Sequence, residues 1–127
     1  MAKTKVLIVD DDEFLLEMYA MKFTEFGFQV DTAENGEEAV KKAKADPPDV
    51  ILMDVVMPKM DGFDLLRNLK KENAAPDAVT LVLTNLGQKD DVEKGMKLGA
   101  TDYIIKAHFT PSEVVKRVES LLARKNK

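Results

Sequence analysis

The sequence predicts an α/β protein with a doubly wound parallel sheet of five strands and helices on both faces. Two observations predict it. Short apolar runs alternate five times with stretches of helical periodicity, as a βα repeat requires. Two of those runs, Val50-Ile51-Leu52-Met53 and Val79–Leu83, are almost continuously apolar, as expected of central strands covered on both sides.

Strand 1 is read as Lys5–Val9. Helix 1 follows over Glu13–Phe26 and is ended by Gly27. Strand 2, Phe28–Thr32, is the more polar one and belongs at an edge. Helix 2 starts at Asn35, whose side chain can cap it with Glu38 three residues on, and ends before Asp46-Pro47-Pro48. Strand 3 covers Asp49–Met53, helix 3 Gly62–Glu72 and strand 4 Val79–Leu83. Helix 4 covers Lys89–Leu98, with few apolar anchors and a glycine, Gly95, that costs about 1 kcal/mol relative to alanine. Strand 5 is Asp102–Ile105. Helix 5 opens on Thr110-Pro111-Ser112-Glu113, a cap, a proline at the first helical position and a capping-box acid, and ends near Arg124 in a short basic tail.

Composition narrows the function classes. The 127 residues carry a net charge of −4, which disfavours general nucleic-acid binding. There are no cysteines, so disulfides, thiolate metal sites and cysteine nucleophiles are excluded, in keeping with a reducing cytoplasm. No signal peptide and no apolar span of membrane length is present. The expectation is one domain, 1–127 with its core at about 5–122, soluble and cytoplasmic.

The chemistry-bearing residues stand where the apolar runs end. Asp10 and Asp11 end the first, Asp54 the third, Thr84 follows the fourth, and Lys106 ends the fifth. In an open parallel sheet, the carboxyl ends of the strands form the rim where ligands bind. Acids converging there repel one another unless a cation lies between them, and a hard divalent ion prefers such oxygen ligands. A charged amine on the same rim suits a phosphoryl group. Each residue also has an ordinary reading: Asp54 as a loop residue before a turn, Lys106 as an exposed strand-end lysine, Thr84 as a turn former. Asp12 reads as the cap of helix 1. Phe14, Met18 and Met21 form a second apolar stripe on helix 1, opposite the core face of Leu16, Tyr19, Ala20, Phe23 and Phe26. That stripe fits a partner site or extra burial between helices equally well.

The segments KVLIVDDDE, VILMDVVMPKMDGFDLL, VTLVLTN and GATDYIIKAHF resemble, in order and over about Lys5 to Leu122, the signature stretches of a response-regulator receiver domain of two-component signalling. The resemblance implies a flavodoxin-like fold with strand order 2-1-3-4-5. It implies Asp54 as phosphoacceptor, charged by a sensor histidine kinase or phosphotransfer domain that meets helix 1. It implies a Mg²⁺ (or Mn²⁺) ion held by Asp11, Asp54 and the backbone carbonyl of Val56, with Asp10 acting through water. Lys106 and Thr84 would bind the phosphoryl group, and Tyr103 would be a switch residue whose ring turns inward. The output face would be helix 4, strand 5 and helix 5, read by an unidentified downstream protein, the receiver being a monomer or a phosphorylation-dependent dimer. No output domain follows helix 5, so the chain is expected to be a stand-alone, chemotaxis-type receiver.

Two positions depart from the family pattern. Ala107 stands where a proline usually follows the lysine, which puts the aim of Lys106 in question. Asn85 stands where a small residue is usual, and its amide could crowd the phosphoryl pocket or donate to it. The chain also admits a degenerate receiver that binds partners without being phosphorylated. A haloacid-dehalogenase-like phosphatase, with Asp10 of Asp10-x-Asp12 as nucleophile, is disfavoured by Phe14 and by the lack of length for a cap domain. No G-x-G-x-x-G follows strand 1, so a dinucleotide site is disfavoured.

Overall fold

The structure, a computed structural model, describes residues 3–125; Met1, Ala2 and the end of the basic tail lie outside the described residues. Five parallel strands form one sheet in the order β2-β1-β3-β4-β5. They are β1 (Lys5–Val9), β2 (Gln29–Ala33), β3 (Val50–Met53), β4 (Val79–Thr84) and β5 (Asp102–Ile105). The helices are α1 (Glu13–Glu25), α2 (Gly36–Ala45), α3 (Gly62–Lys71), α4 (Lys89–Lys97) and α5 (Pro111–Lys125). None of them is long and apolar enough to cross a membrane.

Side-chain alternation along the strands builds two cores. Val6 and Ile8 of β1, Val50 and Leu52 of β3, and Leu81 and Leu83 of β4 point to the face covered by α1 and α5. Leu7, Val9, Ile51, Met53 and Val82 point to the face covered by α2, α3 and α4. All ten are buried. Because successive strand residues face opposite sides, continuous apolar runs are what a sheet sandwiched between two helical layers needs.

Local signals set the ends of the elements. Asp12 caps α1, its Oδ1 accepting from the N–H groups of Phe14 (2.9 Å) and Leu15 (3.2 Å). Asn35 caps α2 by accepting from Glu38 N–H at 2.8 Å. The expected capping box of α5 is present, Thr110 and Glu113 each accepting from the other's N–H. Asp61 and Asp64 form another at α3. By contrast α4 begins without a side-chain cap, and Gly95 is its one buried residue.

Helix 1 differs from expectation at two places. Phe26 is not a core residue: the helix stops at Glu25, Phe26 becomes its C-cap, and the ring is 37% exposed. Met18 does not belong to an exposed stripe, because it packs against the core between the sheet and α5. Phe14 and Met21 do stand out, each 74% exposed.

Candidate functional site

Register brings the rim residues together. Val9 pairs with Met53, and Thr84 with Ile105, so Asp10 and Asp54 leave neighbouring strands side by side and Lys106 leaves β5 one step past Thr84. Asp54 N–H still bonds to Val9 carbonyl at 3.1 Å, which fixes the start of the loop carrying the carboxylate. Among the described residues the buried polar side chains are Asp10 and Thr84, 4% and 0% exposed, and both lie on this rim.

The ammonium of Lys106 donates to Asp10 Oδ2 and to Asp54 Oδ2, at 2.8 Å in each case. The lysine is thus the cation between two acids that would otherwise repel. Asp10 is committed at both oxygens, since its Oδ1 accepts from Asp12 N–H at 3.0 Å. Burial raises the Asp10 pKa above the usual carboxylate range, against the lowering effect of Lys106 and the Asp12 N–H. For Lys106, burial disfavours the ammonium most, but the hydrogen bonds and charges of Asp10 and Asp54 together outweigh it and raise its pKa. The lysine therefore stays charged across the neutral range. Asp10 is more deeply buried than Asp54, and its Oδ1 is held by the shorter bond, which makes it the poorer nucleophile and counts against the phosphatase reading.

Asp54 is held differently. Its Oδ1 accepts only the longer bond from Val56 N–H, 3.2 Å, on an exposed stretch. The following turn is pressed close: a Cβ on Gly62 would stand 2.5 Å from the Asp54 carbonyl oxygen, so only glycine lets α3 start there. Val56, two residues beyond Asp54, is 61% exposed.

Asp11 stands exposed outside the lysine's ion pairs, beside a cleft of about 400 Å³ that also borders Asn35, Pro58 and Met60. Among the described residues no three acidic or histidine side chains converge closely enough to hold a metal. Magnesium does not demand three, since it keeps most of its waters and takes one or two carboxylates. The carboxylates of exposed Asp11 and of half-buried Asp54 fit that donor class. The structure joins Asp10, Asp54 and Lys106; it leaves Asp11 apart from them.

Thr84 Oγ1 accepts from Leu86 N–H at 3.3 Å. A hydroxyl has one donor and two acceptor positions, so its O–H remains available to an acceptor in the site. Tyr103 is turned inward, 8% exposed, and its phenol donates to the Leu86 carbonyl. Gly95 makes room for it: a Cβ there would lie 2.9 Å from the ring. The glycine that weakens α4 is therefore also the floor under the aromatic ring, a role its helical propensity gives no sign of.

Both departures from the family pattern have a structural account. The described peptide bonds, Lys106–Ala107 included, are trans, and the chain turns through a short 3-10 helix, Lys106–His108, that sequence reasoning missed. The lysine keeps its aim. Asn85 neither crowds the cleft nor donates into it; its Oδ1 accepts the Ala107 N–H at 3.1 Å. His108 is exposed on the same turn.

Residues 6–119 match the family model described as the response regulator receiver domain. The chain belongs to that family. The receiver is 38% identical over 125 residues to a probable transcriptional regulator ycf27 of Pyropia yezoensis, covering 98% of this chain and 50% of that one. It is 38% identical over 120 residues to the alkaline phosphatase synthesis transcriptional regulatory protein PhoP of Bacillus subtilis, covering 94% and 49%. The chain thus spans about half the length of the curated relatives it matches. Among solved structures, the receiver superposes on the chemotaxis protein CheY4 of Vibrio cholerae with a TM-score of 0.88 at 32% identity, over 94% of this chain and 99% of the other. The receiver domain of the Francisella response regulator 1452 gives 0.87 at 34%, over 96% and 98%. Membership places the chain in a signalling family rather than among metabolic enzymes.

Proposed function

We propose that this receiver accepts a phosphoryl group on Asp54 from a phosphohistidine of a sensor histidine kinase or phosphotransfer domain. The observation that supports the reading best is the shared ammonium: Lys106 lies 2.8 Å from Asp54 Oδ2 while buried Asp10 holds it from behind. Asp54 Oδ1 accepts only a 3.2 Å bond from Val56 N–H, whereas Asp10 Oδ1 is held by Asp12 N–H at 3.0 Å.

An Asp54 oxygen attacks phosphorus as the N–P bond of the donor breaks. The electron pair of that bond returns to the imidazole, which takes up a proton from water, and the aspartate becomes an acyl phosphate. Such transfers depend on positioning and charge neutralisation rather than on further covalent chemistry. Lys106 turns from bridging two carboxylates to neutralising a phosphoryl oxygen, and the Thr84 hydroxyl donates to another. Asp11, Asp54 and the Val56 carbonyl would hold a Mg²⁺ or Mn²⁺ ion, with Asp10 behind them; when bound, the ion supplies positive charge to the phosphoryl oxygens.

A phosphoryl group adds nearly two negative charges at neutral pH. The element it biases is α4, uncapped and anchored by a glycine, with β5 and α5 beside it. That face signals to a downstream protein. The exposed Phe14 and Met21 of α1 form the surface that meets the phosphodonor.

Incubation with Mg²⁺ and a small phosphodonor, followed by intact-mass spectrometry, tests this. Wild type gains one phosphoryl group and Asp54→Asn gains none. Equal labelling of the two proteins, or none in either, overturns the reading.

A further inference from the structure

The two loops that carry the phosphoryl-binding side chains are tied together just outside the sheet. The β4–β5 ladder ends at Thr84 and Ile105. One residue past each end, Asn85 Oδ1 accepts the Ala107 N–H at 3.1 Å. This bond is made across 22 residues of sequence, and both partners are exposed. The N–H groups of a helix's first turn have no partner within the helix. Ile105, at the N-cap of the 3-10 turn, supplies no side-chain cap. Asn85 therefore does from a neighbouring loop what a capping residue would do locally.

The pair is matched chemically. A proline at position 107 would have no N–H to offer. A small side chain at position 85 would leave the Ala107 N–H to solvent. Each unusual residue has its reason in the other. Lys106 immediately precedes the tethered N–H, and its ammonium reaches Asp10 and Asp54 only if the turn holds its backbone in place.

We infer that Asn85 is a positioning residue for Lys106, its side-chain carbonyl holding the Ala107 N–H and thereby the turn that aims the ammonium at Asp54. The inference rests on the phosphoacceptor reading for its consequence and on the Asn85–Ala107 contact for its mechanism. Losing the tether lets the turn fray, so the lysine spends less time bridging the carboxylates. The effect is on rate and on the lysine signal, not on the fold.

The test is a cycle of Asn85→Ala, Ala107→Pro and the double variant, with two readouts. The first is the rate of phosphorylation by phosphoramidate at saturating Mg²⁺. The second, which needs no phosphoryl group, is NMR of the unmodified protein: exchange of the Ala107 amide and the Lys106 ammonium signal. With Ala107 present, Asn85→Ala should slow phosphorylation and quicken Ala107 exchange by about threefold to tenfold, the ratio one net hydrogen bond corresponds to. It should also weaken the ammonium signal. In the Ala107→Pro background the same substitution should change neither the rate nor the ammonium signal. An unchanged Ala107 exchange or ammonium signal in Asn85→Ala overturns the inference, and so does an equal loss of rate in both backgrounds. A wild type that takes no phosphoryl group refutes the phosphoacceptor reading instead, and the NMR arm still decides the tether.

Discussion

The phenol of Tyr103 donates a hydrogen bond to the backbone carbonyl of Leu86, whose own N–H bonds to Thr84 Oγ1. One loop residue therefore links the aromatic ring of β5 to the hydroxyl at the end of β4. On the proposed function, a Thr84 side chain that shifts toward a phosphoryl group would loosen the Leu86 N–H, and with it the residue that holds the ring. Replacing Tyr103 by phenylalanine removes the donor and leaves the shape. We expect a loss of about 0.5–1.5 kcal/mol in unfolding free energy and faster amide exchange from Leu86 into α4. Unchanged exchange in that segment would show that the link carries no restraint.

The same phenol should be visible in alkali. Burial, with smaller contributions from Asp91 and Asp54, pushes the Tyr103 pKa up to about 12, against about 10 for an unfolded tyrosine. The folded value lies above the unfolded one, so this group's contribution to stability is complete below about pH 10 and is lost as the pH rises toward the folded value. Absorbance titration should find Tyr103 still protonated where a free phenol ionises. Tyr103→Phe should remove that late step and flatten the fall in stability over the same window.

Removing the lysine should expose the cost of burying Asp10. Lys106→Met leaves that carboxylate without its cation, and breaking such a buried pair costs about 3–5 kcal/mol near neutrality. Burial already raises the Asp10 pKa, and the variant lacks the lowering effect of Lys106. The stability of the variant is then greatest below the pKa of unfolded Asp, about 3.9, and is lost as the pH rises through the higher folded value. Urea unfolding across the acid range should show Lys106→Met approaching wild type as the pH falls, and Asp10→Asn should rescue it at neutral pH. A deficit that does not depend on pH would mean that the ion pair is not its source.

By analogy with the family, Val56 and Leu86, two residues beyond Asp54 and Thr84, would flank the route of attacking water, and neither apolar side chain can orient a water molecule. Val56→Asn supplies a group that can. Decay of the phosphorylated protein, followed by loss of mass, should quicken about threefold to tenfold, the size of one well-placed hydrogen bond. An equal or slower decay would remove Val56 from the account.

The strands were legible because the continuous apolar runs that fill two cores also mark their own ends; β1 and β5 lie where expected, β3 and β4 differ by one residue at one end, and β2 by one residue at each end. The site was legible as far as strand ends determine it, which is why Asp10, Asp54, Thr84 and Lys106 meet on one rim. What the sequence could not show was pairing at a distance. Nothing near Asp10 announces that its partner is the lysine 96 residues on rather than a metal-bound water. Asn85 and Ala107 read singly as departures, and only the fold shows them bonded to each other. Gly95 reads as a helix breaker until the ring of Tyr103 is seen against it. Met18 reads equally as partner surface or as burial between helices, because periodicity on one helix cannot show what packs against it; the fold decides for burial.

Chemical mapping of the phosphorylated carboxylate decides whether Asp54 is the acceptor. Borohydride reduces an acyl phosphate to an alcohol, so the modified aspartate becomes homoserine and can be found by peptide sequencing. The account predicts homoserine at position 54 alone, formed only after treatment with phosphodonor. Homoserine at position 10 or 11, or an unmodified Asp54 in protein that carries phosphate, would contradict it.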